Sequence, residues 1–219
     1  MLQIARLPFN PFETNCYIVY IEEGSDCLIF DASCHSASEQ KKLQTFISGK
    51  NLRPTRLINT HCHIDHVFGN AFAHRTWGLL PELHPEELNL LNEETPRIAH
   101  LYNLPYEPSP QPALPYLNEG DKVQLGSFVF EILHTPGHSP GSLTFYCAQA
   151  QTLISGDVLF HESIGRTDFP PYGSMEKLTH SIKNKLYTLD DKVIVYPGHG
   201  QPTNIGHEKK IQPICKRVI

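Results

Sequence analysis

The sequence predicts an α+β fold in which two mainly β layers are flanked by helices. Short apolar segments typical of strands come first, amphipathic segments follow, and the second half of the chain repeats this order. The 219 residues, 40% hydrophobic and 19% charged, suit one domain with a substantial core. Because no repeat or low-complexity linker divides the chain, we predict a single domain over residues 1–219.

The first elements have the clearest local signals. Apolar runs at Cys16–Ile21 and Cys27–Phe30 predict two strands joined by a hairpin turn that contains a glycine. Ser36 and Glu39 have the spacing of a helix capping box, and the helix that they begin is expected to stop near Gly49. The other elements follow from the same apolar patterns. They are a strand at 55–60, a helix at 67–76, strands at 122–125, 128–135, 142–147 and 152–157, a helix at about Ser174–Leu189 and a strand at 192–196.

An insertion at about 78–118 is distinguished by its prolines. Eight of the 18 prolines lie in 81–115. Pro85 suits the first turn of a helix over 84–94, whereas the prolines of 104–117 exclude a continuous helix or a central strand. We predict an ordered loop there, either a surface connection or a wall or lid that faces the substrate.

Composition argues against several classes of partner. The net charge of −5 disfavours a nucleic-acid partner, and no apolar run approaches the ~18 residues of a membrane span. The six cysteines show no CxxC spacing, and the N-terminus lacks the apolar segment of a signal peptide. We therefore expect a cytoplasmic protein with reduced thiols and no membrane partner.

The stretch "THCHIDH", which ends at residue 66, concentrates metal-ligand side chains. At the end of an extended strand His61 and His63 point the same way, while Cys62 points into the packing on the other side. Asp65 and His66 then open a helix. A strand end that leads into a helix start brings these four polar groups towards one point.

Three later segments share one form, in which a predicted strand ends in a tight, glycine-containing turn. They are "HTPGHSPG" with His138, "ISGDVLF" with Asp157 and "VYPGHGQP" with His199. Taken singly, each of these residues is typical of an ordinary surface turn. Together with the first motif they indicate a metal centre, because neutral imidazole and carboxylate groups suit Zn, Fe or Mn ions.

This set of motifs resembles the metallo-β-lactamase superfamily and, within it, the glyoxalase II-like hydrolases. The matching residues extend from Asp31 in "IFDAS" to His199 in "PGHG". The resemblance implies an αββα four-layer sandwich with a metal site at one edge of the two sheets. It departs from full-length glyoxalase II at the C-terminus, where we expect no glutathione-binding helical domain.

The resemblance also implies a ligand set for two divalent metal ions per chain, with zinc expected first and iron or manganese as alternatives. One ion is held by His61, His63 and His138, the other by Asp65, His66 and His199, and Asp157 bridges the two. Asp31 supports the site from behind its ligands, and Asp65 orients the attacking hydroxide. An aspartate at 157 favours the hydrolase branch, because the β-lactamases of the family generally have cysteine there or an altered first motif.

The segment "SIGRTDFP" is also similar to the glyoxalase II-like and persulfide dioxygenase branches. Arg166 stands where glyoxalase II has a lysine that contacts the thiol half of its substrate. Two interpretations remain open: Arg166 binds a substrate carboxylate in bidentate fashion, or it forms a structural salt bridge with Asp168.

The predicted function is hydrolysis of a small-molecule thioester or ester, in particular a hydroxyacyl thioester such as S-lactoylglutathione. One alternative is a mononuclear iron persulfide dioxygenase that uses only His61, His138 and Asp157. Others are a hydrolase of the same fold for a lactone, phosphoester or β-lactam, and a non-catalytic metal-binding domain. The acyl group, the thiol carrier and the oligomeric state are left open by the sequence.

Overall fold

The structure is a computed structural model that describes residues 1–169 and 171–212. The strands of this part are β1 (Gln3–Phe9), β2 (Thr14–Tyr20), β3 (Asp26–Phe30), β4 (Arg53–Ile58), β5 (Pro81–Glu82), β6 (Lys122–Leu125), β7 (Phe128–His134), β8 (Leu143–Cys147), β9 (Thr152–Gly156), β10 (Leu159–Phe160), β11 (Ser163–Ile164), β12 (Ile194–Pro197) and β13 (Thr203–Asn204). The α-helices are α1 (Ala37–Gly49), α2 (Ile64–Val67), α3 (Asn70–Trp77), α4 (Thr95–Leu101), α5 (Met175–Ser181) and α6 (Ile205–Ile211). None of these helices is long and apolar enough to cross a membrane.

Two sheets form the centre of the molecule. The first has the order β1-β2-β3-β4-β5, and the second has the order β13-β12-β9-β8-β7-β6. Strands β1 to β3 are antiparallel, β3 to β5 are parallel, and β9 and β12 are the parallel pair of the second sheet. Strand β10 pairs with β11 as a separate small hairpin.

The core lies between the sheets and under the helices on their outer faces. Phe30 of the first sheet meets Phe130 and Phe145 of the second, with ring centroids 6.0 and 5.0 Å apart. Leu43 of α1 packs on the outer face of the first sheet, and Leu178 of α5 packs on that of the second. Both side chains are fully buried, which is the main source of stabilisation for amphipathic helices. The predicted αββα sandwich is confirmed.

Most predicted elements are present, with informative differences. The capping box at Ser36 and Glu39 is formed, and α1 ends at Gly49 as predicted. The helix predicted at 67–76 is instead two helices, since the chain breaks at Gly69, whose N–H donates to Ala32 O at 2.6 Å. A Cβ on Gly69 would lie 2.5 Å from the same carbonyl oxygen, so this contact requires glycine.

The insertion is more helical than the sequence predicted. A 3₁₀ turn at Pro85–Glu87 and a π-helical turn at Leu90–Glu94 lead directly into α4. Residues 104–117 form a loop, as predicted, which packs through Tyr106 against Phe68 and the α2 region. The loop thus supports α2, the helix that carries Asp65 and His66. Its role as a wall or lid that faces the substrate stays a prediction.

Candidate metal centre

The seven predicted ligand side chains meet at one edge of the sandwich. His61 and His63 follow β4, His138 follows β7, Asp157 follows β9 and His199 follows β12. Strands β7, β9 and β12 run in the same direction, so their C-terminal ends share this edge. Asp65 and His66 lie on α2, beside the same point.

Three imidazoles form the first group. His138 Nε2 lies 3.2 Å from His61 Nε2 and 2.8 Å from His63 Nδ1. One nitrogen of each ring therefore faces a common point, and such a cluster suits a metal ion.

The second group consists of Asp65, His66 and His199. Asp65 Oδ2 lies 3.4 Å from His66 Nε2 and 3.2 Å from His199 Nε2. Asp157 lies between the two groups: Oδ1 is 3.3 Å from His66 Nε2, and Oδ2 is 3.5 Å from His138 Nε2. A single carboxylate thus faces both groups.

Hydrogen bonds on the far side of the rings fix which nitrogen is free to bind a metal. His138 Nδ1 lies 2.8 Å from the carbonyl oxygen of Arg166, and His199 Nδ1 lies 2.9 Å from that of Phe12. A carbonyl oxygen only accepts, so each Nδ1 is protonated and each Nε2 is the nitrogen directed at the centre. His66 donates in the same way to Asp31, at 2.9 Å.

Asp31 also orients His61 through Thr60. The Thr60 hydroxyl donates to Asp31 Oδ2 at 2.7 Å, and the Thr60 N–H donates to Oδ1 at 2.8 Å. With its only proton used, the hydroxyl accepts from His61 Nδ1, 3.1 Å away. The backbone of Asp31 has φ 49°, a left-handed conformation that non-glycine residues rarely adopt. This strained position supports the ligands of both groups.

The residues present fit a pair of divalent cations. His66 Nε2 and Asp157 Oδ1 are buried and have no hydrogen-bond partner in the described part of the chain. Such atoms are costly to bury, and a cation between them would satisfy both. Gly198 leaves room for this arrangement, because a Cβ there would lie 2.0 Å from Asp157 Oδ1.

The two groups differ in their protonation. Burial lowers the pKa of His63 to about 3, and burial also lowers the pKa of His61 and His138, so these imidazoles are neutral near pH 7. Burial opposes a charge on His199 too, but hydrogen bonds to Asp157 and Asp65 outweigh it and raise the pKa of His199 to about 10. The second group therefore holds a proton that a metal ion must displace.

We expect metal occupancy to fall in two steps as the pH is lowered. The Asp65–His66–His199 group competes with a proton at every pH below about 10, so its affinity should fall by about tenfold per pH unit for each proton displaced. The first group has no such competitor above about pH 3 at His63. The metal content of this centre, measured after dialysis at pH 8, 7 and 6 and fixed free zinc, should decline towards one ion. Simultaneous loss of both ions would contradict this expectation.

Glu87 is a residue of this site that the sequence analysis did not identify. Its side chain is fully buried, and its oxygens accept from the backbone N–H groups of Cys62 and Gly141, both at 2.7 Å. Cys62 lies between two histidines of the first group, and Gly141 follows the third. One signal was available: Glu87 falls three and four residues before Leu90 and Leu91, which places it on the apolar face of a helical segment.

Thr14 was missed as well. Its hydroxyl donates to Asp65 Oδ2 at 2.7 Å, and its backbone bridges to His199 across the two sheets. The sequence offered no signal for this contact, since Thr14 lies 51 residues from Asp65.

Arg166 forms the salt bridge with Asp168, one of the two interpretations that the sequence left open. Nε and Nη2 donate to the two carboxylate oxygens, each at 2.9 Å. The guanidinium also lies 4.6 Å from the ring centroid of Phe169, whose own centroid is 5.2 Å from that of His63. Arg166 thus stands at the rim of the centre, and binding of a substrate carboxylate by it is untested.

Comparison with known proteins places this site in a family. The family model for the metallo-β-lactamase superfamily matches residues 9–199, which include all seven ligand-type residues. The chain belongs to the metallo-β-lactamase superfamily. Its fold, its predicted site at the sandwich edge and the His-rich clusters found there are those of a divalent-metal hydrolase family.

Three relatives within this superfamily are similar over nearly their whole length. "Hydroxyacylglutathione hydrolase GloC" of Haemophilus influenzae is 35% identical over 217 residues, covering 97% of this chain and 97% of the relative. The structure titled "BLEG-1 B3 metallo-beta-lactamase" is 33% identical with a TM-score of 0.87, covering 98% and 100%. The structure "TTHA1623 in a di-iron-bound form" is 32% identical with a TM-score of 0.83, covering 95% and 98%.

Proposed function

We propose that this protein is a dinuclear metal-dependent hydrolase that cleaves a hydroxyacyl thioester such as S-lactoylglutathione. The observation on which the proposal rests is the position of Asp157, whose two oxygens face the two groups of ligands. A bridging carboxylate is typical of sites that hold two ions close together. The similarity to a hydroxyacylglutathione hydrolase supports the choice of substrate class, and the di-iron relative supports two ions rather than one.

When bound, the two ions supply a hydroxide nucleophile at neutral pH and polarise the scissile carbonyl. The chain itself positions these components. His61, His63 and His138 would hold one ion, Asp65, His66 and His199 would hold the other, and Asp157 would contact both. The outward hydrogen bonds to Asp31, Thr60 and backbone carbonyls keep the imidazole lone pairs directed inward.

Asp65 has a second part in the proposed reaction. Burial raises its pKa, but the neighbouring His66 and His199 outweigh burial and lower the pKa below the usual range of a carboxyl group. Asp65 is therefore ionised at neutral pH and accepts a hydrogen bond from the attacking water, while Thr14 fixes its orientation from the other side. The thiolate product is a good leaving group, so the reaction needs no separate general acid.

The direct test is steady-state hydrolysis of S-D-lactoylglutathione by protein expressed with zinc and iron available. We expect a kcat/KM above roughly 10⁴ M⁻¹s⁻¹, which lies within the normal range for enzymes. Background hydrolysis by protein with two ions bound would refute the thioester substrate and leave the metal centre in place. A β-lactam should be assayed in parallel because one relative is titled a B3 metallo-β-lactamase.

The same preparations separate the dioxygenase alternative. A mononuclear iron enzyme would contain one iron per chain and take up oxygen in the presence of a persulfide. The number of bound ions separates the two alternatives, because a dioxygenase would keep the same motif and use only His61, His138 and Asp157 of it.

Arg166→Ala is expected to have a small effect on the proposed reaction. The guanidinium is exposed and already paired with Asp168, and exposed ion pairs contribute little. We expect KM for S-D-lactoylglutathione to rise by no more than about fivefold and kcat to stay unchanged. A rise of about 100-fold or more would instead assign a substrate carboxylate to Arg166. Asp168→Asn, which frees the guanidinium, is the matched variant and should lower KM only in that second case.

A further inference from the structure

We propose that His161, Glu162 and His207 form a third metal site, separate from the centre above, that binds a transition-metal dication. The site lies where the turn between β10 and β11 meets α6. One ligand-type atom from each of the three residues falls within 4.8 Å of the others. None of the three belongs to the seven residues of the candidate metal centre.

The three side chains lie next to one another. His207 Nε2 lies 3.0 Å from Glu162 Oε1. The ring of His161 is nearly parallel to that of His207, with centroids 5.3 Å apart and an interplanar angle of 17°. The His207 side chain is 35% exposed and that of Glu162 51% exposed, so a hydrated ion reaches them from solvent.

A buried carboxylate holds the two halves of this site together. Glu208, the residue after His207 on α6, is fully buried. Its oxygens accept from the backbone N–H of Glu162 at 3.0 and 3.1 Å and from the Thr203 hydroxyl at 2.6 Å. The turn that carries His161 and Glu162 is thereby fixed against α6. A site that is already ordered loses less conformational entropy when it binds a ligand.

The ligand chemistry selects the class of ion. Two imidazoles and one carboxylate suit Zn²⁺, Ni²⁺ or Cu²⁺, whereas Mg²⁺ and Ca²⁺ prefer oxygen ligands throughout. His161 makes no side-chain hydrogen bond within the described ranges, so either of its nitrogens is available. At His207 a cation would replace the proton that Nε2 shares with Glu162.

A second cluster, His84, Glu86 and His134, has comparable spacing but the wrong protonation. His84 Nδ1 accepts from the backbone N–H of Glu86 at 3.2 Å, which places the ring proton on Nε2. His134 Nε2 lies 2.9 Å from the carbonyl oxygen of Pro140 and donates to it. Each of these two rings thus has a nitrogen engaged by the backbone, whereas His161 has both nitrogens available, so the proposal is confined to the first cluster.

The test is a zinc count that does not depend on catalysis. Protein already loaded with zinc is dialysed against graded concentrations of free zinc, and bound zinc is measured by atomic emission. We expect the wild type to bind about one equivalent more than the His161→Ala/His207→Ala double variant, and Glu162→Gln to shift the third equivalent to higher zinc concentration.

The control is His180→Ala, which removes another exposed histidine, on α5, outside the cluster. It should bind as much zinc as the wild type. Equal uptake by the wild type and the double variant, or equal loss in His180→Ala, would overturn the proposal. Because the experiment counts zinc ions per chain and does not measure hydrolysis, its outcome does not depend on whether the proposed hydrolase function is correct.

Discussion

Asp157→Ala is expected to abolish hydrolysis and to leave a chain that no longer holds two metal ions. Asp157 faces both ligand groups, so its loss removes a candidate ligand from each. Loss of an outer partner of a metal site typically costs about 10–100-fold in affinity or activity, and loss of a shared ligand should cost ~10³-fold or more in kcat/KM. His63→Ala should have a comparable effect on activity through the first group alone.

The two variants should be separable by metal content. His63→Ala removes a ligand of one group only, so we expect its second ion to be retained better than in Asp157→Ala. Asp157→Asn preserves the shape of the side chain and tests the charge. Circular dichroism and the melting temperature establish that each variant is folded.

Matched controls are available at exposed positions. Asp191→Ala removes an aspartate that pairs with Lys209 at the surface, and His180→Ala removes an exposed histidine. Both should keep wild-type activity and the wild-type content of the two ions. Wild-type activity in Asp157→Ala or in His63→Ala would refute the assignment of the site. If no thioester is hydrolysed by the wild type, metal content still decides whether these residues are ligands.

The sequence was sufficient for the parts of the site that are encoded locally. His61 and His63 share a face because side chains alternate along an extended chain. His138, Asp157 and His199 were recognised because each follows an apolar strand at a glycine turn. These signals lie within a few residues of the group that they identify, so they need no knowledge of the fold.

What could not be predicted depends on contacts between distant segments. The sequence indicates only that an edge strand could start at residues 1–3, and the extent of β1 to Phe9 could not be predicted because the strand contains Pro8 and buries only its last residue fully. The acceptors that fix His138 and His199 are backbone carbonyls of Arg166 and Phe12. Any residue type offers such a carbonyl, so no pattern of side chains could have indicated them.

Glu87 illustrates the same limit and leads to the second prediction. It lies 25 residues from Cys62 and 54 residues from Gly141, the two segments that it joins. Burial raises the pKa of Glu87, while the Ser139 hydroxyl and the two backbone N–H groups oppose that rise. Since both oxygens accept from N–H groups, the ionised form fits this pocket.

We expect Glu87→Gln to weaken metal binding at His61, His63 and His138. Glutamine offers one acceptor oxygen, and its amide N–H₂ would face whichever backbone N–H is left, either that of Cys62 or that of Gly141. A buried N–H without a partner costs about 1–3 kcal/mol, which corresponds to a fall in melting temperature of roughly 2–12 °C. The segments that contain Cys62 and Gly141 would move apart, and the affinity of the site for one of the two ions should fall by about 10–100-fold.

Glu86→Gln is the matched control, because Glu86 is the adjacent residue and is exposed. It should match the wild type in melting temperature, metal content and kcat/KM. Glu87→Asp keeps the charge on a shorter side chain and should restore part of the affinity. The decisive measurement is competition with a chelator at graded concentration, in which Glu87→Gln should release one ion well before the other.

If Glu87→Gln has a lower melting temperature but resists the chelator as the wild type does, Glu87 stabilises the fold and does not affect metal binding. Early loss of a single ion would show that a buried carboxylate in the proline-rich insertion sets the geometry of the first ligand group. That result would also explain why this segment must be ordered. Its 3₁₀ turn presents Glu87 to both segments, which the hydrogen bond from the Leu143 N–H to the Thr60 carbonyl oxygen also joins at 2.8 Å, so Glu87 adds a side-chain link that helps to align His61, His63 and His138.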